Sequence, residues 1–90
     1  MAIPDFEWDV TRTGRTVRID VTQATHVRAS DTEAVVAATE ALIADDDVDL
    51  LQLDGPAMHG QPPLDGLSGT IRALERLAES YGKRLIVSPI

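Results

Sequence analysis

Residues 48–55, Val-Asp-Leu-Leu-Gln-Leu-Asp-Gly, constrain the fold of this 90-residue chain more than any other stretch. Val48, Leu50, Leu51 and Leu53 are apolar on both parities of an extended chain. That predicts a strand covered on both faces, and therefore a central one. A Gly/Pro loop over 55–63 follows, and then a helix from about 67 to 81. In α/β proteins, sites lie in the loop after a central strand, beside the N-terminus of the next helix. Residues 54–70 are therefore where function is sought first.

The rest of the chain is read around that unit. Phe6, Trp8 and Val10 alternate with Glu7, Asp9 and Thr11, a strand with one buried face. Thr13-Gly14 supplies a turn, and Val17, Ile19 and Val21 alternate with Arg18 and Asp20 to complete an N-terminal hairpin. Residues 22–29 leave room for a short strand near 25–27. Ser30 and Glu33 match a capping box for a helix running to about Ala44, with Val35, Ala38 and Leu42, joined by Ala34 and Ala41, as its buried stripe. Asp45, Asp46 and Asp47 oppose the dipole at that helix's end and belong to a solvated turn. In the second helix Leu67, Ile71, Leu74, Ala78 and Tyr81 form one apolar face, and Arg72, Glu75, Arg76, Glu79 and Lys83 lie outside it, Glu79 and Lys83 as an ion pair. Gly82 is a natural residue after a helix end, and residues 84–87 read as a last buried strand, which Pro89 stops.

These elements predict one α/β domain over 1–90: a small mixed sheet with two (or more) helices on one face, in the order β-β-(β)-α-β-α-β. The opposite face is left partly open. An open face or edge strand is a docking surface, for a partner or for a homodimer.

Composition narrows the function classes. The chain is 43% hydrophobic and 26% charged, as folded domains are. Its net charge of -7 repels phosphate backbones and anionic membranes, so neither nucleic acid nor a membrane surface is expected as a partner, and a basic protein patch is favoured. Phe6, Trp8 and Tyr81 are too few aromatics for a base-stacking platform. There are no cysteines, hence no disulfides and no thiolate chemistry. No stretch approaches the roughly 18 apolar residues of a membrane span, and the N-terminus lacks an apolar signal core; a cytoplasmic protein is expected.

Little in the chain resembles a catalytic motif. His26 and His59 have no second ligand at metal-binding spacing. Ser68 lies in Gly66-Leu67-Ser68-Gly69 and not in a nucleophile elbow. No Walker loop or dinucleotide fingerprint is present, so neither metal nor cofactor is expected. Asp54 and Asp65 can be read as an acid–base pair, with His59 beside them in a pocket; more simply, Asp65 caps the second helix. The remaining reading treats residues 62–70 as an exposed docking surface built on Asp54, Asp65, Gly66, Ser68 and Gly69. A phosphate on Ser68, or secondarily on Thr70, would sit at a helix N-terminus that stabilises negative charge.

On these residues the chain, over about 6–89, resembles the STAS domain, the family of sulfate-transporter domains and anti-sigma factor antagonists. The likeness is densest in the tail RALERLAESYGKRLIVSP. It implies a mixed sheet with helices on one side and a non-enzymatic regulator. It also implies a partner that is an anti-sigma factor kinase, or a transporter ATPase as in the STAS-type subunits of lipid transport systems. The family's phosphorylation motif is Asp-Ser-Ser-Gly at the start of the second helix. Asp65 matches its aspartate, but Gly66 and Leu67 stand where the serines would, and Ser68-Gly69 matches only across a gap. An alignment anchored on Leu85 instead puts Asp65 and Gly66 at the serine positions. Residues 17–55 are also similar to the opening of crotonase-fold acyl-CoA enzymes, although Pro56-Ala57-Met58-His59-Gly60 replaces the loop those enzymes carry after the strand.

Overall fold

In the computed structural model, which describes residues 6–24, 26–55 and 67–88, the alternating N-terminal run folds as expected into β1 (Phe6–Thr13) and β2 (Thr16–Ala24). They pair antiparallel, with Thr13 opposite Thr16, so Gly14-Arg15 is a two-residue turn. Gly14 has a φ of +61° while Arg15 does not have positive φ. Positive φ at the first central residue alone is the type II′ pattern, whose twist matches that of the strands it joins. The register shifts once, at a bulge between Glu7 and Trp8.

Helix α1 (Ala29–Ile43) leads to β3 (Leu50–Asp54), and α2 (Leu67–Ser80) leads to β4 (Arg84–Ser88). β2, β3 and β4 are parallel, and the sheet order is β1-β2-β3-β4. Both helical crossovers therefore step the same way across the sheet, and right-handed crossovers then put both helices on one face. There they touch each other and share one core. β2 runs on to Ala24 and residues 26–28 are loop, so among the described residues the optional third strand does not form.

The parallel register lines up the core in rows. Val10, Ile19, Leu53 and Val87 lie side by side across the four strands, and Val17, Leu51 and Leu85 form the next row. Val17, Ile19, Leu51 and Leu53 are wholly inaccessible to solvent. Strand β3 is interior, as its apolar run predicts. Strand β4 is not a buried strand: it is the sheet edge, with Ile86 44% exposed. Its Leu85-Ile86-Val87 triplet is apolar on both parities, like β3, and only position in the sheet separates the two.

Each helix buries part of its expected stripe: Val35 in α1, and Leu67, Leu74 and Ala78 in α2. In α1 the inward residues are Val35, Thr39 and Ile43, while Ala34 and Ala41 face solvent. At about 100° per residue Ala34, Ala37, Ala38 and Ala41 all fall on the half of this helix opposite Val35, Thr39 and Ile43, so the larger side chains decide the buried face. Thr39 can be buried because its hydroxyl donates to the Val35 carbonyl at 2.7 Å. In α2 the buried set is Leu67, Thr70, Leu74, Leu77 and Ala78, and Tyr81 is left 39% exposed. The cap of α1 also shifts. Arg28 occupies the N-cap position, and its backbone N–H donates to Asp31 Oδ2 at 2.9 Å, the part expected of Glu33. Ser30 lies inside the first turn.

Helix α2 ends as expected. Gly82 has a φ of +68°; its N–H donates to the Glu79 carbonyl, and the Lys83 N–H donates to that of Ala78 at 2.8 Å, which is a Schellman cap. The Lys83 ammonium does not close on Glu79 but donates to the Asp45 carbonyl at 3.3 Å. Asp45 also receives Arg12 at 2.6 Å, and Asp49 pairs with Arg15 of the hairpin turn. The solvated turn of 45–47 thus ties the hairpin to the end of α1. The backbone N–H of Asp47 and then the Arg12 guanidinium hold the Asp45 carboxyl below the usual range, and Arg15 does the same for Asp49.

Two predictions follow from glycine geometry and from these carboxylates. An added Cβ meets nothing within 4 Å at Gly69 or at Gly82, but only Gly82 has positive φ. Gly69→Ala should raise unfolding stability by up to about 1 kcal/mol, and Gly82→Ala should lower it by about 1 kcal/mol, read from urea midpoints. Depressed carboxylate pKa values stabilise the fold at pH above the unfolded-state value, near 3.8, and that contribution is lost as pH falls through the folded-state values. Asp45→Asn should therefore lower stability at neutral pH and flatten its decline below about pH 4, measured by urea titration across the acid range.

Candidate functional site

The parallel strands β2 and β3 end, and the helices α1 and α2 begin, at the same end of the sheet. The two first turns are linked directly. Thr32 and Thr70 each stand fourth in their helix, and their hydroxyls share a hydrogen bond of 2.8 Å. Thr70 is fully buried. With Leu67, also buried, it fixes the rotation of the first turn of α2. Ser68 and Gly69 then face outward. One turn of helix therefore holds two inward anchors and an exposed hydroxyl between them.

Asp54 closes β3 on the sheet face opposite the helices. Strand alternation places Leu51 and Leu53 in the core and turns Gln52 and Asp54 the other way. Asp54 is nevertheless only 1% exposed. Its Oδ1 accepts from Gln52 Nε2 at 3.0 Å. Its Oδ2 lies against Arg18 Nε in an ion pair whose angle falls short of a directed hydrogen bond. Asp9, Asp20 and Asp54 share one row across β1, β2 and β3, and like charges side by side on neighbouring strands repel. The guanidinium of Arg18, one row away on β2, offsets that repulsion where burial makes it most costly.

The expected site residues are thus partly regrouped. Ser68 and Gly69 are on the surface of the first turn of α2. Thr70 is not: buried and bonded to Thr32, it is closed to a modifying enzyme in the folded state. Asp54 belongs to the same end of the sheet but offers no contact area to a partner. His26 is exposed in the loop before α1. Asp65, Gly66 and His59 lie outside the described residues. Arg18 and Thr32 were not singled out from the sequence. Arg18 reads there only as an outward residue of an alternating strand, and Thr32 as one more residue of a helix start. Their roles depend on strand adjacency and helix contact.

Among the described residues no three His, Asp or Glu side chains are grouped to hold a metal ion, and no helix is long and apolar enough to cross a membrane. No protein-family model matches the chain, and no curated protein and no solved structure shows significant similarity to it.

Removing one member of the Arg18–Asp54 pair leaves a buried charge without its counterion. Arg18→Met should cost about 2 kcal/mol, less than for a fully buried pair because Arg18 is itself half exposed. Adding Asp54→Asn to that variant should recover most of the loss, which a double-mutant cycle of urea unfolding measures.

Proposed function

We propose that this chain is a small non-enzymatic regulatory domain of STAS type. It docks a protein partner in the cytoplasm through the first turn of α2 and the adjoining loop, and Ser68 is its modification site. The observation that carries this reading is the division of labour within that turn. Leu67 and Thr70 are buried and Ser68 is exposed, so a modifying enzyme can reach Ser68 while its neighbours keep the turn in place. A phosphate there carries about -1.5 to -2 charges at neutral pH, which the helix N-terminus favours. On a chain whose net charge is already -7, it would repel an acidic partner surface and strengthen a basic one.

The ion pair of Asp54 also argues for an interaction domain rather than a catalyst. A carboxylate committed to Arg18 and Gln52 and closed to solvent is placed to hold the strand end, not to exchange protons with a substrate. By the resemblance to STAS domains, the partner would be an ATP-binding anti-sigma factor kinase or the ATPase of a transporter.

The test is affinity capture from the cytosol of the source cells with wild type and Ser68→Asp, together with the intact mass of the protein isolated from those cells. Capture of an ATPase of either kind, changed at least about tenfold by the aspartate, and a phosphate mapped to Ser68 are the expected results; tenfold corresponds to about 1.4 kcal/mol. Equal capture with no phosphate would remove the switch, and no captured ATPase would remove the docking reading.

A further inference from the structure

The two edges of the sheet are guarded differently. β1, at one edge, carries exposed Glu7, Asp9 and Arg12, and its register against β2 shifts between Glu7 and Trp8, where Thr22 of β2 is the extra residue. Outward charges and bulges are what keep an edge strand from pairing with another chain. β4, at the other edge, pairs with β3 without any shift of register, contains no proline or bulge, and has one charged residue, Arg84, at its start. Among the described residues nothing pairs with its outer side. Among the described residues the exposed large hydrophobics are Ile86, within β4, and Tyr81, three residues before the strand begins.

The backbone sets which groups are offered. The Arg84 N–H donates to the Asp49 carbonyl, toward β3. Successive residues of a strand direct their N–H and C=O to alternate sides. The free edge therefore presents the backbone groups of Leu85 and Val87. An antiparallel two-fold pairing of β4 with its own copy, centred on Ile86, sets Leu85 opposite Val87 of the second copy and Val87 opposite Leu85. All four outward groups on each copy's pair of residues are then used in ladder hydrogen bonds. Ile86 meets Ile86 in the non-hydrogen-bonded position, where Cα atoms are about 4.5 Å apart and side chains are closest. Arg84 falls opposite Ser88, so no like charges face each other.

We infer that β4 is a homodimerisation edge, pairing antiparallel with β4 of a second copy about a two-fold axis through Ile86. The two sheets become one continuous sheet. Among the described residues the edges left at its ends are the two β1 strands, which are the guarded ones, so assembly stops at two copies. This inference is independent of the role proposed for Ser68.

The test is the solution mass of the full chain by sedimentation, from low to millimolar concentration, for wild type, Ile86→Lys, Ile86→Glu and an equimolar mixture of the two variants. Because Ile86 is exposed in the single copy, both variants should keep the wild-type circular dichroism. The expected result is a concentration-dependent doubling of mass in wild type, loss of doubling in each variant alone, and its return in the mixture, where opposite charges face each other. In wild type, amide exchange at Leu85 and Val87 should slow as concentration rises. A wild type with single-chain mass throughout, polymers larger than two copies, a doubling that survives in both variants, or a mixture that stays at single-chain mass would each overturn the proposal. So would exchange at Leu85 and Val87 that does not change with concentration, a readout that holds even if a variant fails to fold.

Discussion

The parallel register of β2, β3 and β4 is the constraint on which the rest of this structure depends. It places Val17 beside Leu51 and Leu85, and Ile19 beside Leu53 and Val87, so each strand contributes to the same apolar rows. A slip of one residue would turn Leu51 and Leu53 away from the helices and bring Gln52 and Asp54 into the core. Apolar burial on one face and the cost of burying Asp54 there thus favour the same register. The two helices follow from it, since each crossover must return the chain to the next parallel strand on the same side.

That register also creates the polar end of the molecule. Ending β2 and β3 together brings the first turns of α1 and α2 together, and the Thr32–Thr70 hydrogen bond joins them. Asp54 terminates β3 there, and Arg18 on the neighbouring strand neutralises it. These two polar contacts differ in kind. The threonine pair sets the rotation of a helix that carries Ser68 outward. The ion pair lets a charged side chain occupy a site closed to water.

Much of the fold was legible in the sequence because it rests on local signals. Alternation in Phe6, Trp8 and Val10, the Thr13-Gly14 turn, the doubly apolar run at Leu50 and Leu51, and Gly82 after α2 each act over a few residues. What was not legible depends on partners distant in sequence. Leu85-Ile86-Val87 and Leu50-Leu51 look alike, and only the arrival order of strands makes one the edge. In α1, the alanines at 34, 37, 38 and 41 are apolar but gather on the half of the helix opposite Val35 and Ile43, so a stripe drawn through them points the wrong way; the larger side chains choose the buried face and carry Thr39 in with them. In α2, Thr70 is buried because Thr32 supplies a hydroxyl from another helix, and no periodicity in the sequence encodes that. Of the candidate site, Ser68 was legible as an exposed hydroxyl at a helix start, whereas the burial of Asp54 and Thr70 was not.

The account turns on the first turn of α2 being the surface a partner touches. The most direct measurement is site-specific photo-crosslinking in the source cells, with a benzophenone amino acid replacing Ser68 in one variant and Ala37, on the exposed side of α1, in another. The account predicts a discrete adduct between the protein and one larger polypeptide from position 68 and none from position 37. No adduct at position 68, or the same adduct from both positions, would contradict it.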